Sequence, residues 1–278
     1  MLLLYFSMKA LVLGGGAAKG YAHIGVIKFL EERGFKPDLI IGTSMGALVG
    51  GFYATGSSIK ELEKFAAGID LKMKQKLFPI QLSSQGFIQG DYIVKFLYKK
   101  LGKIKIENLP IKYACTAVDL DRQHEIVIDK GDLVQAIRSS ISIPVVFVPH
   151  EHYGHTFIDG GFVNPVPITA ARLIGATRII AVNVLRRTAY PSCKLKKVRS
   201  SSKKYNAWEV MMNTLNLGFS RLIDYQFIQL EDGFMIDINT NDVKLSDFEK
   251  ARMAIDIGYK QAKNYRREID RFIGQQDL

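Results

Sequence analysis

Gly42-Thr43-Ser44-Met45-Gly46 follows directly on the apolar run Leu39-Ile40-Ile41. A strand that ends in G-x-S-x-G and turns at once into a helix holds its serine in a tight, strained turn with small neighbours, a demand that Gly42 and Gly46 meet. The turn sets Ser44 at a helix N-terminus, where free N–H groups and the helix dipole favour negative charge. A hydroxyl held there suits ester or acyl chemistry. A second group is Gly14-Gly15-Gly16-Ala17-Ala18-Lys19-Gly20, entered from the apolar residues 8–13 and left through a helical pattern with Ile24, Ile27 and Leu30 on one face. A glycine-rich turn between strand and helix exposes N–H groups and makes an anion site. The order Lys19-Gly20-Tyr21 fails the P-loop pattern, and neither Gly14 nor Gly15 opens a G-x-G-x-x-G register. The remaining anion is the oxyanion of a tetrahedral intermediate. The third group is Phe157-Ile158-Asp159-Gly160-Gly161. Alone it reads as an Asp-Gly turn; beside the other two, it is a carboxylate delivered into a cleft with little steric cover.

The three groups in this order resemble the patatin-like phospholipase family. The resemblance spans residues 8–185 and four blocks: Gly20-Tyr21-Ala22-His23-Ile24-Gly25-Val26-Ile27, residues 41–51 around Ser44, Ser140-Ile141-Ser142-Ile143-Pro144, and residues 159–167 from Asp159 to Pro167. It implies a three-layer α/β/α fold with a central, mainly parallel sheet. It also implies a lipid acyl hydrolase acting on phospholipids or lysophospholipids through a Ser–Asp dyad without a catalytic histidine. By position, Ser44 resembles the nucleophile and Asp159 its partner. Gly15, Gly16 and Ala17 resemble the oxyanion hole, with Lys19 in the basic slot and Gly20, Gly42, Gly46, Gly160 and Gly161 as motif glycines. The chain departs from the pattern twice: Ala17 and Val145 stand where the family usually has glycine. An esterase, thioesterase or acyltransferase on another substrate, or a non-catalytic binding protein of the same fold, is the alternative reading.

Histidine placement separates this from an α/β-hydrolase, whose triad runs Ser, Asp or Glu, then His. The five histidines are 23, 124, 150, 152 and 155, and none follows Asp159. A triad of Asp119 with His150 or His152 stays open. The trio His150, His152 and His155 is expected on a polar loop beside the site, without the spacing of a metal centre. No cofactor and no metal is expected.

The elements that must hold these groups begin with strand, helix, strand, helix through residue 56, a βαβα opening that implies a parallel sheet with right-handed crossovers. Residues 59–105 read as helix-rich, with Leu77, Phe78, Phe87 and Ile88 among the apolar positions, and are expected to form either a lid or acyl-chain wall or an ordinary helical packing layer. Strands are expected at 111–119, 123–129 and 178–184, and a short helix at 132–139. Ser246-Asp247-Phe248-Glu249 has the form of a capping box opening a long helix, with Phe248, Ala251, Ile255, Tyr259, Ala262, Ile269 and Phe272 on its core face. Residues 1–7 read as an extension, and 8–278 as a single domain.

The 278 residues suffice for a sizeable core. Cys115 sits in a strand-like apolar run and Cys193 in a basic loop, which is no disulfide framework and fits a reducing, cytoplasmic compartment. No apolar run reaches membrane-span length. The net charge of +11 is concentrated between 186 and 204, where there are eight basic residues and no acidic one. That loop is suited to peripheral contact with an anionic membrane surface; no nucleic-acid-binding motif accompanies it. Oligomeric state is not legible.

Overall fold

The computed structural model describes residues 7–79, 88–185, 204–228 and 230–274. Phe87, Cys193 and all of the basic stretch but Lys204 lie outside the described residues.

Strand β1 (Lys9–Leu13), helix α1 (Ala22–Glu32), β2 (Leu39–Thr43) and α2 (Met45–Ala54) form the expected opening. Then come α3 (Ile59–Ala67), α4 (Leu71–Leu77), α5 (Asp91–Leu101), β3 (Lys112–Asp119), β4 (His124–Ile128) and α6 (Leu133–Ser140). The remainder is β5 (His150–His152), β6 (His155–Asp159), α7 (Ile168–Leu173), β7 (Arg178–Asn183), α8 (Ala207–Ile228), β8 (Gly233–Asp237), α9 (Ala251–Ala262) and α10 (Arg266–Gly274). The sheet runs β5-β6-β3-β2-β1-β7-β8, with β4 also on β3. The pairs β3–β2, β2–β1, β1–β7 and β7–β8 are parallel, whereas β4, β5 and β6 pair antiparallel.

Alternation along β1 builds the three layers. Leu11 and Leu13 join a core with residues of α1, α2, α3, α5, α6 and α9; Ala10 and Val12 join a second core with Ile168 and Ala171 of α7 and Ile223 of α8. Helices therefore cover both faces of the sheet, as a buried parallel sheet requires.

Two local expectations are corrected. The histidine trio occupies a hairpin, not a loop: β5 and β6 pair His150 with Phe157 and His152 with His155. Its two-residue turn places Tyr153 and Gly154 at φ 50° and 74°, the positive values that suit the sheet's twist. Nor does Ser246 open a capping box. Asp247 spends its carboxylate on the Lys244 N–H at 3.1 Å and on Lys250 Nζ at 2.7 Å, and a 3-10 turn (Phe248–Lys250) precedes α9. A second 3-10 turn (Lys263–Tyr265) divides the expected long helix into α9 and α10. The core stripe holds, with Ala251, Ile255, Ala262, Ile269 and Phe272 buried. A true capping box stands at Ser58 and Glu61, opening α3.

Candidate active site

Cys115 and Thr116 of β3 pair with both β2 and β4, and Ala117 to Asp119 pair with both β4 and β6. A strand has only two edges, so β2 and β6 lie on the same edge of β3, end to end. Since β2 is parallel to β3 and β6 antiparallel, the two strands run toward each other. Thr43 pairs with Thr116 and Asp159 with Ala117. Ser44 and Asp159 stand where the strands meet.

Close backbone packing fixes both sides. Ser44 has φ 54° and ψ −121°, a conformation rare for a residue with a side chain and a mark of stored strain. A methyl on Gly42 would lie 2.3 Å from the Gly46 carbonyl carbon, and one on Gly46 2.1 Å from the Leu13 oxygen. The Ser44 N–H donates to Ser140 Oγ at 2.9 Å, and Thr43 Oγ1 donates to the Asn164 carbonyl at 2.9 Å. Opposite, a methyl on Gly160 would fall 2.5 Å from Thr116 Oγ1; the bare glycine lets the chain pass over β3 toward β2. The Gly161 N–H donates to Asp159 Oδ1 at 2.8 Å.

Asp159 is only 3% exposed. Burial pushes its pKa up to about 6, against the opposing pull of the Ser44 hydroxyl and the Gly161 N–H. A carboxylate poised near neutrality beside a strained serine at the N-terminus of α2 can accept the hydroxyl proton.

The glycine-rich turn needs one correction. Gly14 donates its N–H to the Val182 carbonyl at 3.0 Å, and Gly15 donates to the Pro165 carbonyl at 2.8 Å. The Gly15 N–H is spent and is not an oxyanion donor. Ala18 and Lys19 donate to the carbonyls of Leu245 and Gly16. Gly16 and Ala17 are left as N–H groups without a backbone acceptor among the described residues. Ala17 adopts φ 44° and Val145 φ 69°, so both departures from the glycine pattern fall at left-handed positions. Lys19 is half-buried in its turn, and a methyl on Gly20 would lie 2.3 Å from Met45 Cγ.

His23 braces this turn from below. It is fully buried, its Nε2 donates to the Gly14 carbonyl at 2.7 Å, and burial brings its pKa down to about 4. It is therefore a neutral strut at working pH. The other histidines stand elsewhere. His155 Nδ1 donates to Asp119 Oδ2 at 2.7 Å, and Asp119 also accepts N–H bonds from Asp121 and Arg122. Asp119 is committed to His155, so no triad forms with His150 or His152, whose rings stack 5.8 Å apart. Among the described residues no cluster of three or more His, Cys, Asp or Glu is placed to hold a metal ion.

Ala17 and Ser44 border an apolar cavity of about 550 Å³, open mouth included. Its wall includes Met45 and Leu48 of α2, Phe65 of α3, Leu77 of α4, Ile93 of α5, and Phe147. Sequence reading missed the supporting groups Ser140, Thr116, Asn164 and Pro165 around the meeting point. Ser140 and the 164–165 pair fall inside the quoted motif blocks, the one signal that marked them.

Residues 11–172 match the family model described as patatin-like phospholipase. The chain belongs to the patatin-like phospholipase family. An uncharacterized NTE family protein of Mycobacterium tuberculosis (strain ATCC 25618 / H37Rv) is 38% identical over 183 residues, covering 66% of this chain and 51% of that protein. Lysophospholipase NTE1 of Saccharomyces cerevisiae is 33% identical over 178 residues, which cover 63% of this chain and 10% of that protein. The chain thus spans about half the length of the mycobacterial relatives it matches, and far less of the yeast one. The crystal structure of VipD from Legionella pneumophila shares the fold, with a TM-score of 0.53 at 17% identity over 96% of this chain and 67% of that one. As a patatin-like chain it carries the G-x-S-x-G turn and the Asp-Gly-Gly block inside the matched region, while α8 to α10 lie beyond it. No helix among the described residues is long and apolar enough to cross a membrane.

Proposed function

We propose that this protein is a serine lipid acyl hydrolase that cleaves fatty-acyl esters of phospholipids or lysophospholipids through a Ser44–Asp159 dyad. The observation that carries it is the buried Asp159, its pKa raised to about 6, facing the strained Ser44 at the head of an apolar cavity. In the cycle, the acyl chain lies in the cavity and the ester carbonyl reaches Ser44. Asp159 takes the hydroxyl proton as Ser44 Oγ bonds to the carbonyl carbon. The N–H groups of Gly16 and Ala17 hold the developing oxyanion, helped by the N-terminus of α2. Collapse expels the alcohol, which leaves with the proton from Asp159. Water then attacks the acyl-enzyme by the same route, releases the fatty acid and restores the hydroxyl. No step needs a metal. Helices α3 to α5 act as the wall or lid over the acyl chain, within a single domain spanning 8–278. The basic stretch 186–204 favours an anionic lipid surface, at roughly 1 kcal/mol per residue held close to it.

The test is covalent. A fluorophosphonate should label the wild-type chain at Ser44, and Ser44→Ala should abolish both labelling and ester turnover while the fold persists. Turnover retained by pure Ser44→Ala protein rejects the mechanism. Product analysis on phospholipid, lysophospholipid, simple ester and thioester substrates then ranks the leaving groups.

A further inference from the structure

Helix α8 is apolar on two sides. Its inner side packs on the fold: Ile223 is fully buried, and the Phe219 ring meets Phe162 at 5.3 Å between centroids. Gln226 Nε2 donates to Asn164 Oδ1, and Gln226 Oε1 accepts the Val166 N–H at 3.1 Å. The outer side carries Val210, Leu217, Tyr225 and Ile228, which are 53%, 58%, 64% and 76% exposed. From Val210 to Ile228 the chain makes about five turns at 3.6 residues per turn; Leu217 falls about 20° and Tyr225 about 60° from that line. They share one side, roughly 27 Å long, with Thr214 and the Arg221–Asp224 ion pair set among them. Exposed apolar residues scattered singly are ordinary, but a stripe of four along one side of a helix marks an interaction surface.

We propose that this stripe docks on an anionic bilayer surface, with α8 lying in the interface and not crossing it. The charge of the chain selects the occupant: net +11, with eight basic residues between 186 and 204 just ahead of α8 in the sequence. A helix with one face on the protein and an apolar face outward suits the headgroup–acyl boundary. Its inner side is tied to the segment that follows Asp159. Phe162, against which α8 packs, is three residues beyond Asp159. The Asn164–Val166 segment that Gln226 grips also receives Thr43 Oγ1 and the Gly15 N–H. Docking α8 therefore sets the bilayer against the α7–α8 side of the sheet, with the helix itself between the lipid and the 162–166 segment. The inference rests on the proposed lipid activity for its purpose, but its test does not depend on turnover.

The chain's one tryptophan, Trp208, lies two residues before Val210 and so off the line of the stripe; the reporter is a tryptophan moved onto it by the pair Trp208→Phe, Leu217→Trp. With Ser44→Ala protein and vesicles of mixed phosphatidylcholine and phosphatidylglycerol, its emission should shift to the blue and be quenched by brominated acyl chains. The triple change Val210→Ser, Leu217→Asn, Ile228→Asn should lower vesicle partitioning at least roughly tenfold, the equivalent of about 1.4 kcal/mol. In the active background it should leave hydrolysis of a short, soluble ester unchanged, which also checks the fold. Leu217→Trp, which keeps the stripe apolar, should partition as well as the parent or better. Unchanged partitioning of the triple variant overturns the proposal, as does emission from the Leu217→Trp reporter that is indifferent to saturating vesicles. Sedimentation showing a dimer that the triple change dissociates would assign the stripe to a second copy and equally overturn it.

Discussion

Gly15 donates its N–H to the Pro165 carbonyl at 2.8 Å, so the glycine-rich turn hangs from the segment that follows Asp159. The same segment receives Thr43 through the Asn164 carbonyl. One short stretch thus registers the Ser44 turn, the proposed acid–base partner and the glycine-rich turn against each other. Changes that shift the backbone of 159–166 are therefore expected to lower the rate even where they leave Ser44 and Asp159 in place.

Asp159→Asn should remove activity and add stability. An amide cannot take the serine proton, so turnover should fall by at least about 10². The buried carboxylate has its pKa raised from 3.8 to about 6, so its folded-state contribution is complete at low pH and is lost as pH rises through 6. At pH 8 the asparagine should therefore gain, by up to about 3 kcal/mol at 1.36 kcal/mol per pKa unit. Below pH 3.8 both forms are neutral and the gain should vanish. Thermal melts at pH 8 and pH 3.5 check the sign.

The pH dependence of kcat/KM should show a single acid limb near pH 6, where Asp159 takes up its proton. His23, with its pKa near 4, should not shape that limb. Replacing His23 by Gln should lower kcat by loosening the Gly14 carbonyl while leaving the limb in place. Initial rates on a soluble ester from pH 4.5 to 9 measure both.

His150, His152 and His155, changed singly to Gln, should keep most of the turnover. His155 is held by Asp119, on the far half of β3. A loss in any one of them as large as that of Asp159→Asn would call for a histidine-based mechanism instead.

Ala17 and Val145 should both accept glycine with profit. A left-handed backbone costs an L-residue roughly 1–2 kcal/mol, and glycine returns about 0.5–1 of that as unfolded-chain entropy. Val145→Gly should stabilise by about 1 kcal/mol, since a branched side chain suffers most at φ 69°. Ala17→Gly should gain less, with kcat nearly unchanged because the N–H stays. Urea midpoints and steady-state rates decide both.

Changing Lys194, Lys196, Lys197 and Arg199 to Gln should weaken binding to anionic vesicles, most visibly at low salt, where screening beyond about 10 Å is least. Hydrolysis of a soluble ester should not change. Co-sedimentation across a salt series makes the comparison.

The parts of the site legible in the sequence are those whose sterics dictate residue identity. Gly42 and Gly46 are written in because two backbones touch there, and Gly160 because the chain crosses Thr116. The opening βαβα order was legible from periodicity and punctuation. What escaped reading depends on distant pairing. The commitment of the Gly15 N–H is made by Pro165, about 150 residues away. The histidine hairpin was hidden because Tyr153-Gly154 lacks the Asn-Gly signature of its turn and histidine is a poor strand marker. The failed capping box turns on Asp247, whose carboxylate prefers Lys250 and the Lys244 N–H.

The contact of Gly46 with the Leu13 and Gly14 carbonyls, too close for a methyl, separates two kinds of inheritance. The groups of the proposed dyad are registered by main chain against main chain, while the apolar cavity is built from interchangeable side chains such as Leu48, Leu77, Ile93 and Phe147. On the proposed acyl-hydrolase reading, descendants of this scaffold are free to drift in chain-length preference by swapping those walls, one methylene at a time, without disturbing the chemistry. Diversification of diet, in such a lineage, comes ahead of any change of reaction.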